Sequence, residues 1–405
     1  MSTTPAVLGL RRMAPRNPAE LFRTASPLEL FFDLIFVVAV SLSSAQLFHG
    51  EASGSLGPTI VSYLVVFFAI WWAWMNFTWF ASAFDTDDWL YRLLVLAQMA
   101  GAIVLAVGTG PAMRDGDLRV VIAGYVIMRI ALVIQWLRAS RSHPALRGTA
   151  IRYAIGVTLV QVLWVGFPLL PVGVVPAIFP LLVVCELVIP AWAEHRQPTP
   201  WHPGHIVDRY GCFTMIVLGE SVLASTTAVA TALGSSDQVS ELVLLGFAGF
   251  VLAAGMWWAY FSVIDDNMLT SRRQAFLFGY GHYFVFGAAG AFSAGISVLL
   301  ATADGTVDIP YGTAVASLLV PVALYLFGVW GLILRHHLSG LRSAAIPLLS
   351  LAIALTPLLA GALESVVWPV LIAAGLMAVL IAVIESAGVR EFPVQGFAEQ
   401  LATEA

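Results

Sequence analysis

The sequence predicts an all-helical, polytopic membrane protein with about twelve transmembrane helices in two pseudo-repeated six-helix halves. Three observations carry that fold class. Hydrophobic residues make up 60% of the 405-residue chain and charged residues only 11%, against about 25% charged in soluble domains, which argues against one soluble core. The apolar residues gather in successive runs of about 20, the length a helix needs to cross about 30 Å of hydrocarbon. Arginines fall mainly in alternate connections between those runs, the asymmetry that orients a multi-span protein.

Taken in order, an N-terminal arm (1–26) leads into spans at 27–48, 58–82, 91–109 and 118–138. Spans five and six, 150–168 and 172–192, are separated by a short turn containing Pro171, and Pro168, Pro176, Pro180 and Pro190 mark them as kinked or displaced, since an internal proline removes a helical hydrogen bond. A histidine-containing linker (193–209) precedes the second half (210–385), with spans at 210–233, 239–263, 278–301, 311–334, 343–362 and 366–385, and a tail (386–405) follows. With the N-terminus inside, only Arg114 and Arg119 fall outside and Arg129 lies within a span. That distribution predicts both termini in the cytoplasm. Residues 1–23 have no compact apolar core followed by a small-residue cleavage site, so they read as a retained arm.

The remaining composition excludes several classes. The formal charge is −5 with no long charge block, which gives no nucleic-acid footprint. All 19 basic residues are arginine. The two cysteines, Cys185 and Cys212, sit in or beside spans, so neither a structural disulfide nor a zinc or iron-sulfur motif is expected.

The two halves share a pattern. Trp71 to Asp88 and Trp257 to Asp266 each place a tryptophan pair in the membrane and end in an acidic pair. Each half also opens on an acid-bearing span, the first with Glu29 and Asp33, the second with Glu220. Six spans per half bring equivalent helices in from the same side, which predicts a pseudo-twofold axis along the membrane normal.

Charged side chains within spans are costly and turn toward partners, cavities or the membrane surface. Glu29 and Asp33 are four residues apart and share a helical face. Arg129 cannot shed its charge by an ordinary shift and requires an anion; Glu29, Asp33, Glu186 and Glu220 are the candidates, with the span-one pair or Glu220 favoured. His282 lies just inside span nine. A structural salt-bridge network and a transport or catalytic pathway explain these residues about equally well. In the linker, His195, His202 and His205 lack a compact ligand motif, so surface chemistry outranks metal binding and no metal is assigned. Trp72 and Trp258 could line an organic pocket or donate to carboxylates, although packing and interfacial anchoring are the ordinary roles of such tryptophans. Gly219 is expected to serve either close helix approach or a local bend, and IVLGES lacks the glycine and lysine pattern of a phosphate loop.

Two stretches carry a family resemblance. PLELFFDLIFVVAVS, with Glu29 and Asp33, resembles the acidic N-terminal motif of the bacterial low-temperature-requirement A (LtrA) family. HIVDRYGCFTMIVLGES resembles its second motif at His205, Arg209, Gly219 and Glu220, with Asp208 where the family commonly has glutamate. The likeness covers roughly 24–386 and implies a polytopic layout; it implies no reaction, substrate or cofactor. From the residues, the leading expectation is a secondary transporter or permease in which Glu29, Asp33, Arg129 and Glu220 couple movement of an ion or small solute. Glu186, His205, Arg209, His282, Trp72 and Trp258 are secondary candidates. The alternatives are an intramembrane enzyme acting on a lipid or isoprenoid, and a structural stress-response membrane protein. The lipid bilayer is the expected partner, and homo-oligomerisation is compatible with the sequence.

Overall fold

A computed structural model describes residues 9–17, 20, 23–233, 239–263 and 268–387. Among the described residues the chain is all helical, with no strand. The helices are α1 (Pro27–Ala52), α2 (Leu56–Phe84), α3 (Trp89–Asp115), α4 (Arg119–Ser142), α5 (Arg147–Gly166), α6 (Val175–Ala193) and α7 (Pro203–Leu233). They continue as α8 (Val239–Phe261), α9 (Arg272–Ala303), α10 (Tyr311–Leu332), α11 (Gly340–Leu355), α12 (Leu358–Leu363) and α13 (Val367–Glu385). Ten of the described helical segments are long and apolar enough to cross a membrane. The tail expected at 386–405 lies almost wholly outside the described residues.

Local chemistry sets several boundaries. Pro27 occupies the first turn of α1 behind an N-cap serine, where a missing N–H costs nothing. Asp88 caps α3 by accepting from the Tyr91 N–H at 2.9 Å, and Gly116 ends it at φ 68°, a left-handed conformation that favours glycine. Two differences from the expected spans matter. Helix α7 starts at Pro203 rather than 210, so His205 and Arg209 are helical and not part of a loop. The eleventh span, expected unbroken over 343–362, is divided into α11 and α12; Pro357, between them, has no N–H to continue the ladder. Between α5 and α6 the chain makes two single 3-10 turns around Pro171.

Packing follows an order that recurs along the chain. Helix α1 packs on α2 and α3, α3 on α4, α4 on α5, and α5 on α6. Likewise α7 packs on α8 and α9, α9 on α10, α10 on α11, and α11 on α13. The closest crossings rely on glycine: a Cβ at Gly124 of α4 would lie 2.6 Å from the Gly101 carbonyl oxygen of α3, and one at Gly295 of α9 would collide with the Ser317 backbone of α10. The two sets meet where α1 contacts α7 and α9. There Ser44 Oγ donates to the Gly290 carbonyl at 2.8 Å and the Tyr63 hydroxyl donates to that of Gly287 at 2.8 Å.

Candidate functional site

The first turns of α1 and α7 each carry a pair of polar residues one helical turn apart. On α1, Ser26 and Glu29 form a capping box: the Glu29 N–H donates to Ser26 Oγ at 3.3 Å, and the Ser26 N–H donates to Glu29 Oε2 at 2.8 Å. This reciprocal pairing fixes the Glu29 carboxylate at the helix entrance, and Asp33 follows on the same face. Just before α7, His202 Nδ1 accepts from the His205 N–H at 3.1 Å while His202 Nε2 lies 2.7 Å from the Glu20 carbonyl oxygen. Those contacts assign the proton of a neutral His202 to Nε2. His205 and Arg209 then repeat the four-residue spacing of Glu29 and Asp33 with complementary charge.

The two pairs meet. Arg209 Nη1 stands 3.0 Å from Glu29 Oε1, Arg209 Nη2 donates to Asp33 Oδ1 at 2.5 Å, and Arg209 Nε donates to Asp33 Oδ2 at 3.3 Å. His205 Nε2 lies 3.1 Å from Glu29 Oε1, and Trp74 Nε1 of α2 donates to Asp33 Oδ1 at 2.7 Å. Asp33, His205 and Arg209 are 0% exposed and Glu29 is 2% exposed. Two carboxylates share one guanidinium, so the cluster carries one net negative charge with a neutral imidazole and none with an imidazolium. Among the described residues, His205 Nδ1 and Arg209 Nη1 complete no well-aligned hydrogen bond. The cluster therefore retains proton-binding and donor capacity in a site sealed from water.

Its surroundings separate it from both solvent and the membrane centre. On the membrane side, Trp74 stacks on Phe213 with centroids 4.5 Å apart, and Phe32 packs against Phe77 at 4.1 Å. On the other side the N-terminal arm runs over the helix ends. Its Arg23 donates to the Ser82 and Ala81 carbonyl oxygens, the Ala25 N–H donates to Asp208 Oδ2 at 2.7 Å, and the Arg11 N–H donates to Asp88 Oδ2 at 3.0 Å. Arg138 also pairs with Asp88. Asp85, at the C-terminus of α2, is pushed up to about 6 by burial and by the negative charge of Glu29, against the opposing pull of Arg23.

The other candidates lie apart from this cluster. Arg129 faces Glu186 of α6 at 3.1 Å, in place of the favoured span-one pair or Glu220. Trp72 Nε1 also donates to Glu186 Oε2, at 2.8 Å, so three of the expected residues form a second buried site. Glu220 accepts from Ser41 of α1 at 2.7 Å, about 16 Å along α7 from Arg209. His282 Nδ1 lies 2.6 Å from the Phe278 carbonyl and its Nε2 2.9 Å from the Tyr260 hydroxyl, the pattern of a satisfied neutral imidazole. Trp258 is exposed and donates to Glu385 at 2.8 Å. Among the described residues, no three His, Cys, Asp or Glu side chains converge to hold a metal. Ser41 and the tethering role of Asp208 carry no distinguishing signal in the sequence. The signal for Arg209 was present, because basic residues spaced at i and i+4 complement acidic residues at the same spacing.

Similarity to known proteins extends over nearly the whole chain. The family described as Bacterial low temperature requirement A protein (LtrA) matches residues 24–384. Protein RA0937 of Rhizobium meliloti (strain 1021), described as uncharacterized, is 29% identical over 271 residues, covering 63% of this chain and 64% of that protein. The chain thus spans less than two thirds of the length of the curated relative it matches.

Proposed function

The chain belongs to the bacterial low temperature requirement A family, and from the arrangement of its buried charges we propose that it is a proton-coupled secondary transporter of an ion or small solute. The supporting observation is that two carboxylate stations occupy one contact, between α1 and α7. Glu29 and Asp33 meet Arg209 and His205 near its N-terminal end, and Glu220 meets Ser41 farther along. In this mechanism, proton loss from His205 leaves the first station with one excess negative charge. A cation or a proton must compensate that charge inside a site closed to water. Arg209 holds both carboxylates during the exchange, and the change in its pairing biases the approach of α1 to α7. Transport then follows population shift between two arrangements of that contact.

This reading takes the two sets of helices as pseudo-equivalent six-helix halves, supported by their repeated packing order, with α1 and α7 beside the axis. It also takes the membrane as the bacterial cytoplasmic one with both termini inside, supported by arginine placement. The test uses purified protein in sealed vesicles loaded with a pH-sensitive dye and challenged with gradients of alkali cations, divalent cations, small organic acids and amines. At least one gradient should change internal pH, and Glu29→Gln and Glu220→Gln should each abolish the response while the protein remains folded. No pH change under any gradient from folded wild-type protein rejects proton coupling.

A further inference from the structure

A long groove opens on the side of the bundle away from the Glu29 cluster. It has a volume of about 980 Å³ and lies among the ends of α1 and α2, the middle of α9, the length of α10 and the α11–α12 break. Its lining on α10 extends from Gly312 to Leu332, about 30 Å of helix and comparable to the hydrocarbon thickness of a bilayer. The walls are overwhelmingly apolar, including Leu56, Ile60, Val320 and Leu324. This volume is at the upper end of what small-molecule sites enclose.

The groove contains one carboxylate. Glu51 lies in the last turn of α1 and is 5% exposed, and Ser317 of α10 is 8% exposed. Glu51 Oε2 and Ser317 Oγ complete no well-aligned hydrogen bond among the described residues, although the Ser317 side chain lies close enough to interact with the Glu51 carboxylate. No arginine or histidine lines the groove. A buried carboxylate at the C-terminal, negative end of a helix lacks the compensation that a cation would supply. Apolar walls long enough to hold an acyl chain, with one carboxylate that has no cationic partner among the lining residues, complement an amphiphile with a cationic head.

We propose that this groove is a binding site for an amine-bearing membrane lipid. Its acyl chain lies along α10 between α2 and α11, and its ammonium group donates to Glu51 and is flanked by the Ser317 hydroxyl. Charge decides the class: an anionic headgroup placed beside Glu51 would be repelled. Glu51 is about 33 Å along α1 from Glu29, so this site stands independently of the coupling proposed for the α1–α7 contact.

The test incorporates the full chain into bilayers of equal phosphatidylethanolamine and phosphatidylglycerol, extracts it gently and weighs the lipid adducts by native mass spectrometry. Wild-type protein should retain phosphatidylethanolamine several-fold over phosphatidylglycerol. Glu51→Gln should remove that preference, and Ala316→Phe, which narrows the groove from α10 and keeps the carboxylate, should reduce retention of the aminolipid. Equal retention of the two lipids by wild type, or an unchanged preference in Glu51→Gln, overturns the assignment. If Glu51→Gln does not fold, Ala316→Phe decides alone: unchanged aminolipid retention in that variant overturns it. None of these readouts depends on solute flux, so failure here and failure of the transport reading are distinguishable.

Discussion

Replacing Arg209 by methionine would leave Glu29 and Asp33 facing each other without their shared cation in a site with essentially no solvent exposure. Breaking a buried ion pair from one side costs about 3–5 kcal/mol because the orphaned charge remains desolvated. Arg209→Met should therefore sharply lower the melting temperature in detergent, and Glu29→Gln/Asp33→Asn added to it should recover most of the loss. Failure of the triple variant to recover would show that Arg209 acts mainly through packing. Asp85 gives a pH-dependent counterpart. Its carboxyl is pushed up to about 6, so its ionised form is disfavoured in the fold relative to the unfolded chain. That penalty is fully present above about pH 6 and is relieved as pH falls toward the ordinary aspartate range near 3.8. Asp85→Asn should raise the melting temperature by several degrees at pH 8, with the gain shrinking to little at pH 4. An equal gain at both values would assign the effect to something other than this ionisation.

The decisive contacts between elements are backbone approaches that side-chain composition does not advertise. At the α3–α4 crossing, a Cβ on Gly124 would sit 2.6 Å from both the Gly101 carbonyl oxygen and the Leu105 nitrogen. Backbone atoms cannot swing aside as a flexible side chain can, so the helices must separate. Gly124→Val should lower the yield of folded protein and its melting temperature, whereas Gly219→Val, whose added carbon meets nothing within 4 Å, should change either only slightly. Comparable losses in both variants would point to helix propensity as the cause. The same scale explains the misplaced start of α7. Pro200 and Pro203 read as loop punctuation in one dimension, but Pro203 opens the helix, where proline is well tolerated.

Across the whole molecule, the buried charges are distributed and not gathered at a single centre. Arg129 and Glu186 join α4 to α6, Glu29 and Asp33 join α1 to α7, and Glu51 lies at the opposite end of α1. The arm supplies a further layer, bonded through Arg23, Ala25 and Arg11 to α2, α7 and the α2–α3 turn. An ion pair within one set of helices is thereby distinguishable from one that joins the two sets. The α1–α7 cluster sits beneath a covering segment, at the contact of two similarly packed sets of helices, whereas Arg129 and Glu186 lie within one set.

The sequence by itself determined the class of molecule, because apolar runs of bilayer length admit few alternatives to spanning helices. It also marked Glu29, Asp33, Arg209 and Glu220 as costly or motif-bearing, since charge in an apolar setting is legible one residue at a time. Which charges face each other was decided only in three dimensions. Glu29 and Arg209 are far apart in sequence, and their pairing depends on how α1 is seated against α7; the placement of Glu186 beside Arg129 depends similarly on α4 and α6. Periodicity fixes a face on its own helix but not the neighbour that covers it. The groove at Glu51 was likewise invisible in one dimension, because it is the space left between helices drawn from opposite ends of the chain.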